Sequence, residues 1–357
     1  MATTVARQIK ADFPGSHLTW AIGYKCRQVI DNNPYVDEIW SVEYARHELP
    51  HDDVWHKTKA EAERRKAAGE FDRIYYTQIF PENFNNFDGT TRSTIFRSYP
   101  GEITVPVAPV IRLYDREVER VREFASSNGL HRYENVIIFE CAPGSLQSPL
   151  TPELAIAVAR RIVKMRSDTA FIISSHHKFA SDHRAIIDGS VLTYRENAEL
   201  SKYSTLLLGG SSGITWLMTS DWAKRLPTIQ FLNATGAWYS FASVKYDHKF
   251  FGLDTDHIFE TGLGREDDIV ELVNKYLAQK GFGGLTARVF RPSIDQLHDL
   301  HRMMQNRVEL RRVLGNFMGR NREISIDVAA FYGGIARRVL RQKASGLMRR
   351  LKTALWP

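Results

Sequence analysis

The sequence has little of what secreted and membrane-spanning proteins need. Among its 357 residues only two are cysteines, Cys26 and Cys141. This excludes a disulfide framework and favours a reducing compartment. No uninterrupted apolar segment approaches the roughly 20 residues of a membrane-spanning helix, and the start, "MATTVARQIKADFPG", lacks the apolar core of a secretory signal. We therefore expect a globular protein of the cytoplasm.

Acidic side chains are missing from one end of the chain. Residues 328–357 contain seven basic side chains and no acidic one, and these seven account for the whole formal net charge of +7. The remaining chain carries equal numbers of basic and acidic residues, so its body has no surplus charge for a nucleic-acid partner. Residues 333–357 intersperse apolar and basic residues, which predicts either an amphipathic helix on an anionic membrane, at the inner face of the plasma membrane, or a solvated or packed tail.

Apolar runs alternate with helix-like stretches along most of the chain. Several runs are apolar on both faces, which is typical of parallel sheets covered by helices on both sides. The predicted strands are residues 18–23, a short strand within 32–43, 71–80, 135–141, 169–175, 205–210 and 227–232. The predicted helices are residues 3–13, about 114–127, 152–165, 213–225 and 265–281, with polar helices after the first strand and after residue 175. Thr151 is the predicted N-cap of the helix that begins at Pro152.

The alternation occurs once before about residue 112 and again after residue 135. It predicts an α/β protein of two doubly wound, Rossmann-like domains that face a cleft. We place the N-terminal domain at residues 1–130, the second domain at 131–285 and a helical, basic extension at 286–357.

One strand ends in an unusual run of small residues. After Leu206 the sequence continues with Gly209, Gly210, Ser211, Ser212 and Gly213 before helix-like residues resume. Bare backbone amides, hydroxyl groups and a helix N-terminus at the end of a parallel strand suit a diphosphate, without requiring a metal. The alternative is a tight turn packed against its neighbours.

Other strand ends carry weaker candidates. Gly144 and Ser145 follow a strand in the same way and are predicted to contact phosphate, although such a turn is common. Glu196 and Asn197 precede the glycine-rich loop and are candidates for a base or ribose pocket, with an N-cap role as the alternative for Asn197. His176 follows the strand "FIISS" and is either a further pocket residue or a solvated loop histidine.

In the first domain, Gln78, Asn83 and Arg92 border a strand end and the loop beyond it. They are candidates for an acceptor site, and the Arg92 guanidinium suits a phosphorylated acceptor.

Two motifs that resemble metal sites are assigned to other roles. Pro50 interrupts any helix that would align His47, His51 and His56, so no metal site is predicted there. The pair Asp254 and Asp256 is predicted to form a turn or a cap. We expect neither a metal nor another cofactor.

Three stretches together resemble glycosyltransferase family 9, the ADP-heptose–type heptosyltransferases of lipopolysaccharide synthesis. "ATTVARQIKADFPGSHLTWAI" with "NNPYVDEIW" resembles the family's first helix, second strand and "NP-x-VDE" stretch. "VIIFECAPGSLQSPLTPELAIAVARRIV" resembles the strand, Pro-Gly loop and helix that open its nucleotide domain. "ELSKYSTLLLGGSSGITWLMTS" resembles its "GxDSGxxH" loop and the following helix.

The resemblance implies a GT-B fold and a metal-independent, inverting transfer of a heptose or related sugar. The donor would be a nucleotide sugar and the acceptor a lipid-linked molecule or polysaccharide of the cell envelope. The chain departs from the family pattern, because Ser211 and Trp216 replace its Asp and His, and a Lys after the Pro-Gly loop is absent near Ser148. Its first strand and catalytic Gly-Asp loop are also missing, so either the start is misassigned or the base has been lost, and no catalytic residue is named. A sugar-nucleotide epimerase of the same fold and a catalytically inactive binding homologue are the alternatives.

Overall fold

The fold is taken from a computed structural model. It describes residues 1–44, 53–79, 82–83, 93–96, 98–143, 147–233 and 243–285. The predicted basic extension, with the tail at 333–357, lies outside the described residues.

The N-terminal part contains a parallel pair of strands. β1 (Thr19–Gly23) pairs with β2 (Glu38–Val42) in a register that runs from Thr19↔Glu38 to Gly23↔Val42. The helices here are α1 (Thr3–Asp12), α2 (Asp53–Ala67) and α3 (Ser93–Phe96), and a 3-10 helix (Tyr24–Val29) follows β1. The predictions of α1, β1 and β2 are confirmed, and the polar helix expected after β1 is the 3-10 helix.

The strand predicted at residues 71–80 is wrong, since the described residues 71–79 form no strand. The side-chain amide of Asn83 donates to the carbonyl groups of Tyr76 and Gln78, at 2.5 and 2.8 Å. Those carbonyl groups are the ones that a β-ladder would use. Tyr75 of this stretch packs instead on a small core, where its ring lies 5.2 Å from that of Tyr99.

The second part is built on a six-stranded, fully parallel sheet. Its strands are β3 (Asn135–Glu140), β4 (Thr169–Ser174), β5 (Ile186–Asp188), β6 (Leu206–Gly209), β7 (Thr228–Phe231) and β8 (Ile258–Thr261). Their spatial order is β5-β4-β3-β6-β7-β8. This is the order of a doubly wound nucleotide-binding sheet, in which the chain returns to the centre after β5 and then continues to the other edge.

Helices cover this sheet. They are α4 (Asp115–Ser127), α5 (Pro152–Met165), α6 (Glu196–Leu200), α7 (Gly213–Leu217), α8 (Val244–Phe250) and α9 (Glu266–Gln279), with 3-10 turns at Leu130–Arg132 and Ser201–Tyr203. The central strands have no exposed face, since Ile137, Ile138 and Phe139 are all fully buried. A strand buried on both faces forms from a continuous apolar run, which is why β3, β4 and β6 were predictable.

Two helices of the second part differ from the predictions. The polar helix expected after β4 is wrong, because residues 175–185 form turns in which the Ser175 and Ser181 hydroxyl groups accept hydrogen bonds from the amides of His177 and His183. Such local side-chain bonds compete with helix formation. The helix expected at 213–225 ends at Leu217, and the Asp221 amide beyond it donates to the carbonyl group of Pro109. The strands β5 and β8 were not predicted.

The buried Arg195 guanidinium joins the two parts of the chain. Its Nε and Nη2 donate to the two carboxylate oxygens of Glu117, both at 2.9 Å. Its remaining N–H groups donate to the carbonyl groups of Gln28, Asp31 and Arg112. All five donors are therefore satisfied, and the segment after β1, the connection before α4 and the start of α6 are held together. Within the described ranges, no helix is both long and apolar enough to cross a membrane.

Candidate functional site

The centre of the parallel sheet is a topological switch point. After β3 the chain leads to β4 on one side, whereas after β6 it leads to β7 on the other. Ligands of such sheets bind in the crevice outside the carboxyl ends of the two diverging strands. The glycine-rich residues 209–213 lie at this place, as do the residues that follow Glu140.

Three polar side chains meet above Gly209. The register of β6 with β7 pairs Gly209 with Gln230, and that of β3 with β6 runs to Phe139↔Leu208, directly before Glu140 and Gly209. A Cβ atom on Gly209 would lie 2.9 Å from Oγ1 of Thr215 and 3.3 Å from both Nε2 of Gln230 and Oε2 of Glu140. Glycine is required here because the space that a side chain would fill is taken by this buried polar cluster.

The amides of the loop are already used in part. The amide of Gly210 donates to Oε2 of Glu140 at 2.9 Å, and the amide of Ser211 donates to Oε1 of Gln230 at 2.5 Å. Ser211 adopts a left-handed conformation with φ of 58°. The prediction of bare amides is therefore wrong for these two residues. The loop's binding of a diphosphate stays a prediction.

The outer end of the loop differs from its buried start. Ser212 caps α7 by accepting a hydrogen bond from the Ile214 amide at 3.1 Å, and Gly213 is exposed. The Tyr194 hydroxyl donates to the carbonyl group of Gly213. Residues 209–211 therefore form a tight, packed turn, which was the alternative prediction. Ser212 and Gly213 are the accessible part of the loop.

Burial dominates the electrostatics of this cluster. It raises the pKa of Glu140, against hydrogen bonds from the Gly210 amide, the Ser212 side chain and the Ala142 amide. Burial also raises the pKa of the neighbouring Cys141 thiol to about 12, with the Glu140 charge as the next cause. The pKa of Tyr194 is raised by burial and then by Cys26 and Glu140, so Cys26 of the N-terminal part lies close to this side of the site.

The predicted phosphate contacts Gly144 and Ser145 lie outside the described residues. The same loop resumes beside the glycine-rich segment, where Gln147 Nε2 donates to the Ser211 carbonyl group at 3.5 Å. The Gln147 carbonyl group accepts a hydrogen bond from the Asn233 amide at 2.7 Å. The loops after β3, β6 and β7 therefore come together, as the sequence predicted for the first two.

Glu196 and Asn197 are buried at the start of α6. Asn197 accepts a hydrogen bond from the Ser174 hydroxyl at 2.9 Å and donates to the Thr193 carbonyl group at 2.9 Å. The N-cap of α6 is Arg195, so the alternative N-cap role of Asn197 is wrong. Glu196 accepts from the Thr193 amide at 2.6 Å. Both side chains organise the segment before the loop, and their role in a base or ribose pocket stays a prediction.

His176 is exposed beyond β4. Its ring lies 3.9 Å from that of His177, although adjacent side chains usually point apart. Both rings lie on the surface, beyond the carboxyl end of β4.

The acceptor candidates are only partly described. Asn83 is buried and uses its side-chain amide to hold the carbonyl groups of Tyr76 and Gln78. Arg92 lies outside the described residues. An acceptor role for Gln78, Asn83 and Arg92 stays a prediction.

Sequence reasoning missed a polar aromatic cluster at the ends of β1 and β2. The rings of Tyr24 and Tyr44 lie 5.1 Å apart, and Lys25 Nζ lies 5.6 and 5.3 Å from their centres. Tyr24 and Tyr44 each come directly or almost directly after a short strand, and the position after a parallel strand was the signal available. Cys26, which follows Lys25 in the chain, lies close to Tyr44 of this cluster.

A second cluster surrounds a cavity of about 240 Å³ between α7 and α8. His257 accepts a hydrogen bond from Arg225 at 3.1 Å, and burial followed by the Arg225 charge lowers the pKa of His257 to about 4. Asp254 accepts a hydrogen bond from the Asp256 amide at 2.9 Å and pairs with Arg225, so the Asp pair forms the predicted turn.

Among the described residues, no group of three or more His, Cys, Asp or Glu side chains is arranged to hold a metal.

Comparisons with known proteins agree with this architecture. No family model matches the chain, and no curated protein matches it. The chain is similar to the crystal structure of the glycosyl transferase family 9 from Veillonella parvula DSM 2008, with 15% identity, a TM-score of 0.50, and 85% of this chain and 92% of that chain covered. It is also similar to E. coli ADP-heptose lps heptosyltransferase II, with 12% identity, a TM-score of 0.48, and 78% and 95% covered. The first likeness establishes the fold, which is the GT-B fold that the family 9 resemblance implied.

Proposed function

We propose that the chain binds a nucleotide sugar at the switch point and transfers its sugar to an acceptor. The observation that carries the proposal is the glycine-rich segment 209–213, which lies at the carboxyl end of β6 in a sheet of nucleotide-binding order. The shared fold with a glycosyltransferase supports it. The sugar is a heptose or related, and the acceptor is a lipid-linked molecule or a polysaccharide of the cell envelope.

We assign nucleotide binding to the second part of the chain and acceptor binding to the N-terminal part. The second part holds the nucleotide, and the Ser212 hydroxyl and Gly213 amide stabilise the departing diphosphate. In an inverting transfer an acceptor oxygen attacks the anomeric carbon, the bond to the diphosphate breaks, and a general base takes the acceptor proton. The proposal assigns the acceptor to the N-terminal part, where Lys25 lies beside the rings of Tyr24 and Tyr44. No described residue is assigned the role of base.

Nucleotide binding is tested by a thermal-shift panel of ADP-, GDP- and UDP-sugars with their free nucleosides. A ligand that binds only the folded state raises the melting temperature, and the shift grows with the logarithm of the ligand concentration divided by its dissociation constant. We expect one nucleotide series to raise the melting temperature. Ser212→Ala is expected to reduce this shift, because it removes a hydroxyl group that the proposal places on the diphosphate.

Thr151→Ala is the matched control, because Thr151 caps α5 as Ser212 caps α7. Both variants lose a helix cap, and only Ser212→Ala is expected to lose ligand affinity. Absence of a shift with every nucleotide rules out the proposal. Release of a changed sugar nucleotide without acceptor would identify an epimerase, and binding without any turnover would identify an inactive homologue.

The proposal includes a peripheral membrane location through residues 333–357. Their basic and apolar composition supports attraction to anionic lipid. Removal of these residues is expected to abolish co-sedimentation with anionic vesicles, and unchanged co-sedimentation would contradict the membrane role.

A further inference from the structure

We propose that Glu140 sets the affinity of the switch point for diphosphates, because its carboxylate occupies hydrogen-bond donors that a phosphate would otherwise use. A diphosphate must then displace or neutralise this side chain. The inference rests on the proposed function, since it concerns the same nucleotide site.

The donors around Glu140 come from both loops of the switch point. The Gly210 amide belongs to the loop after β6 and donates at 2.9 Å, and the Ala142 amide belongs to the loop after β3. The Ser212 side chain adds a third donor. Backbone amides that converge on one anion form the kind of concavity that binds phosphate in other proteins. In this chain an internal carboxylate fills it.

Among the described residues, no cationic side chain compensates the Glu140 charge. Within the described part of the chain, Glu140 forms no ion pair with a Lys, Arg or His side chain, although only 2% of the residue is exposed. A second anion close to a buried carboxylate is repelled more strongly than in water. The arrangement therefore opposes a diphosphate as long as Glu140 is ionised and in place.

Gln230 offers an alternative partner for the displaced carboxylate. Its side chain is fully buried, and its Nε2 has no hydrogen-bond partner among the described residues. Nε2 of Gln230 and Oε2 of Glu140 lie at the same distance, 3.3 Å, from the Cβ position above Gly209. A carboxylate that leaves the Gly210 amide therefore has an unused donor beside it, and the Gly210 amide becomes free for the ligand.

Protonation of the Glu140 carboxylate also releases its contact with the Gly210 amide. The groups that face Glu140 are Cys141 after β3, Tyr194 before α6, Gln230 on β7, and Ser212 and Thr215 around α7. The pKa values of Cys141 and Tyr194 are raised, so both stay uncharged near neutrality, and burial raises the pKa of Glu140 toward that range. Diphosphate binding is expected to take up a proton at Glu140 and to tighten as the pH falls.

The test compares a nucleoside diphosphate with its nucleoside by isothermal titration, using the full chain and Glu140→Gln. The variant keeps the size of the side chain and removes its charge. We expect it to tighten diphosphate binding about tenfold or more relative to nucleoside binding. We also expect the pH dependence of that affinity ratio to be weaker in the variant than in the unchanged protein.

Glu260→Gln is the matched control. Glu260 lies at the end of β8 and accepts the Lys245 amide at 2.9 Å and the Ser243 hydroxyl at 2.7 Å, and burial raises its pKa as it does for Glu140. It is separated from β6 by β7. We expect this variant to leave the ratio of diphosphate to nucleoside affinity unchanged.

The outcomes separate the two proposals. An unchanged or lower ratio in Glu140→Gln, with nucleotide binding retained, overturns the role of Glu140 and leaves the proposed function standing. No nucleotide binding by the unchanged protein overturns the proposed function itself. If Glu140→Gln does not fold, proton uptake by the unchanged protein, measured in buffers of different ionisation enthalpy, decides the matter, and no uptake beyond that of the ligand overturns the inference.

Discussion

The glycines of the switch point lie where a side chain would collide with neighbouring residues. A Cβ atom on Gly210 would lie 2.5 Å from Cβ and 2.6 Å from Oγ of Ser148, and one on Gly213 would lie 2.6 Å from the Tyr194 hydroxyl. The Ser148 hydroxyl itself donates to the Phe231 carbonyl group at 2.5 Å. Neighbouring loops are therefore packed against the glycine backbone, and this packing fixes the shape of the site.

Gly210→Ala is expected to lower the free energy of unfolding by about 1 to 3 kcal/mol, the usual cost of overpacking. Gly15→Ala is the control, since nothing lies within 4 Å of the corresponding Cβ position. Urea denaturation of both variants measures the difference. Equal stability of the two variants would show that the loop around Gly210 moves aside freely.

Helix and strand formation followed local signals wherever these were strong. The α5 helix begins as its sequence predicts, because the Thr151 side chain accepts a hydrogen bond from the Leu154 amide at 3.2 Å and Pro152 needs no hydrogen-bond partner for its nitrogen. Where the local signals were weak, the sequence did not predict the element. The β5 strand has only three residues, and its place beside β4 depends on pairing from Phe171↔Ile186 to Ile173↔Asp188.

Thr151→Ala is expected to destabilise the protein by about 1 kcal/mol, because one amide of the first turn of α5 loses its acceptor. Thr151→Ser keeps an acceptor oxygen and is expected to retain most of the stability. The measurement is the unfolding midpoint in urea. Equal losses in both variants would mean that the threonine methyl group, and not the cap, is important.

The whole molecule depends on contacts between distant segments. Arg195 connects the segment after β1, the connection before α4 and the start of α6. Asp221 adds a second link, since it accepts hydrogen bonds from Arg7 at 2.7 Å and Arg112 at 3.0 Å. These contacts set how the N-terminal part meets the parallel sheet that carries the candidate site.

Arg195→Met is expected to lower the free energy of unfolding by about 3 to 5 kcal/mol, because it leaves the partly buried Glu117 carboxylate and three carbonyl groups without their donor. Arg122→Met is the control, since the side chains of Arg122 and of its partner Glu119 are both exposed, at 67% and 44%, and little change in the free energy of unfolding is expected for it. Chemical denaturation compares them. Similar losses in the two variants would contradict a joining role for Arg195.

The sequence by itself determined the elements whose signals are local. Continuous apolar runs produced β3, β4 and β6, because a strand buried on both faces needs no polar alternation. The glycines and serines of 209–213 marked the candidate site, because few other residues permit such a close approach of the backbone.

Only the tertiary structure decided which groups meet. The order of the strands, the hydrogen bond from the Gly210 amide to Glu140 and that from the Ser211 amide to Gln230 all depend on residues far apart in the chain. The glycine-rich sequence permits either a ligand or an internal carboxylate at those amides. The pairing of β3 with β6 brings Glu140 there, and no local pattern records that proximity.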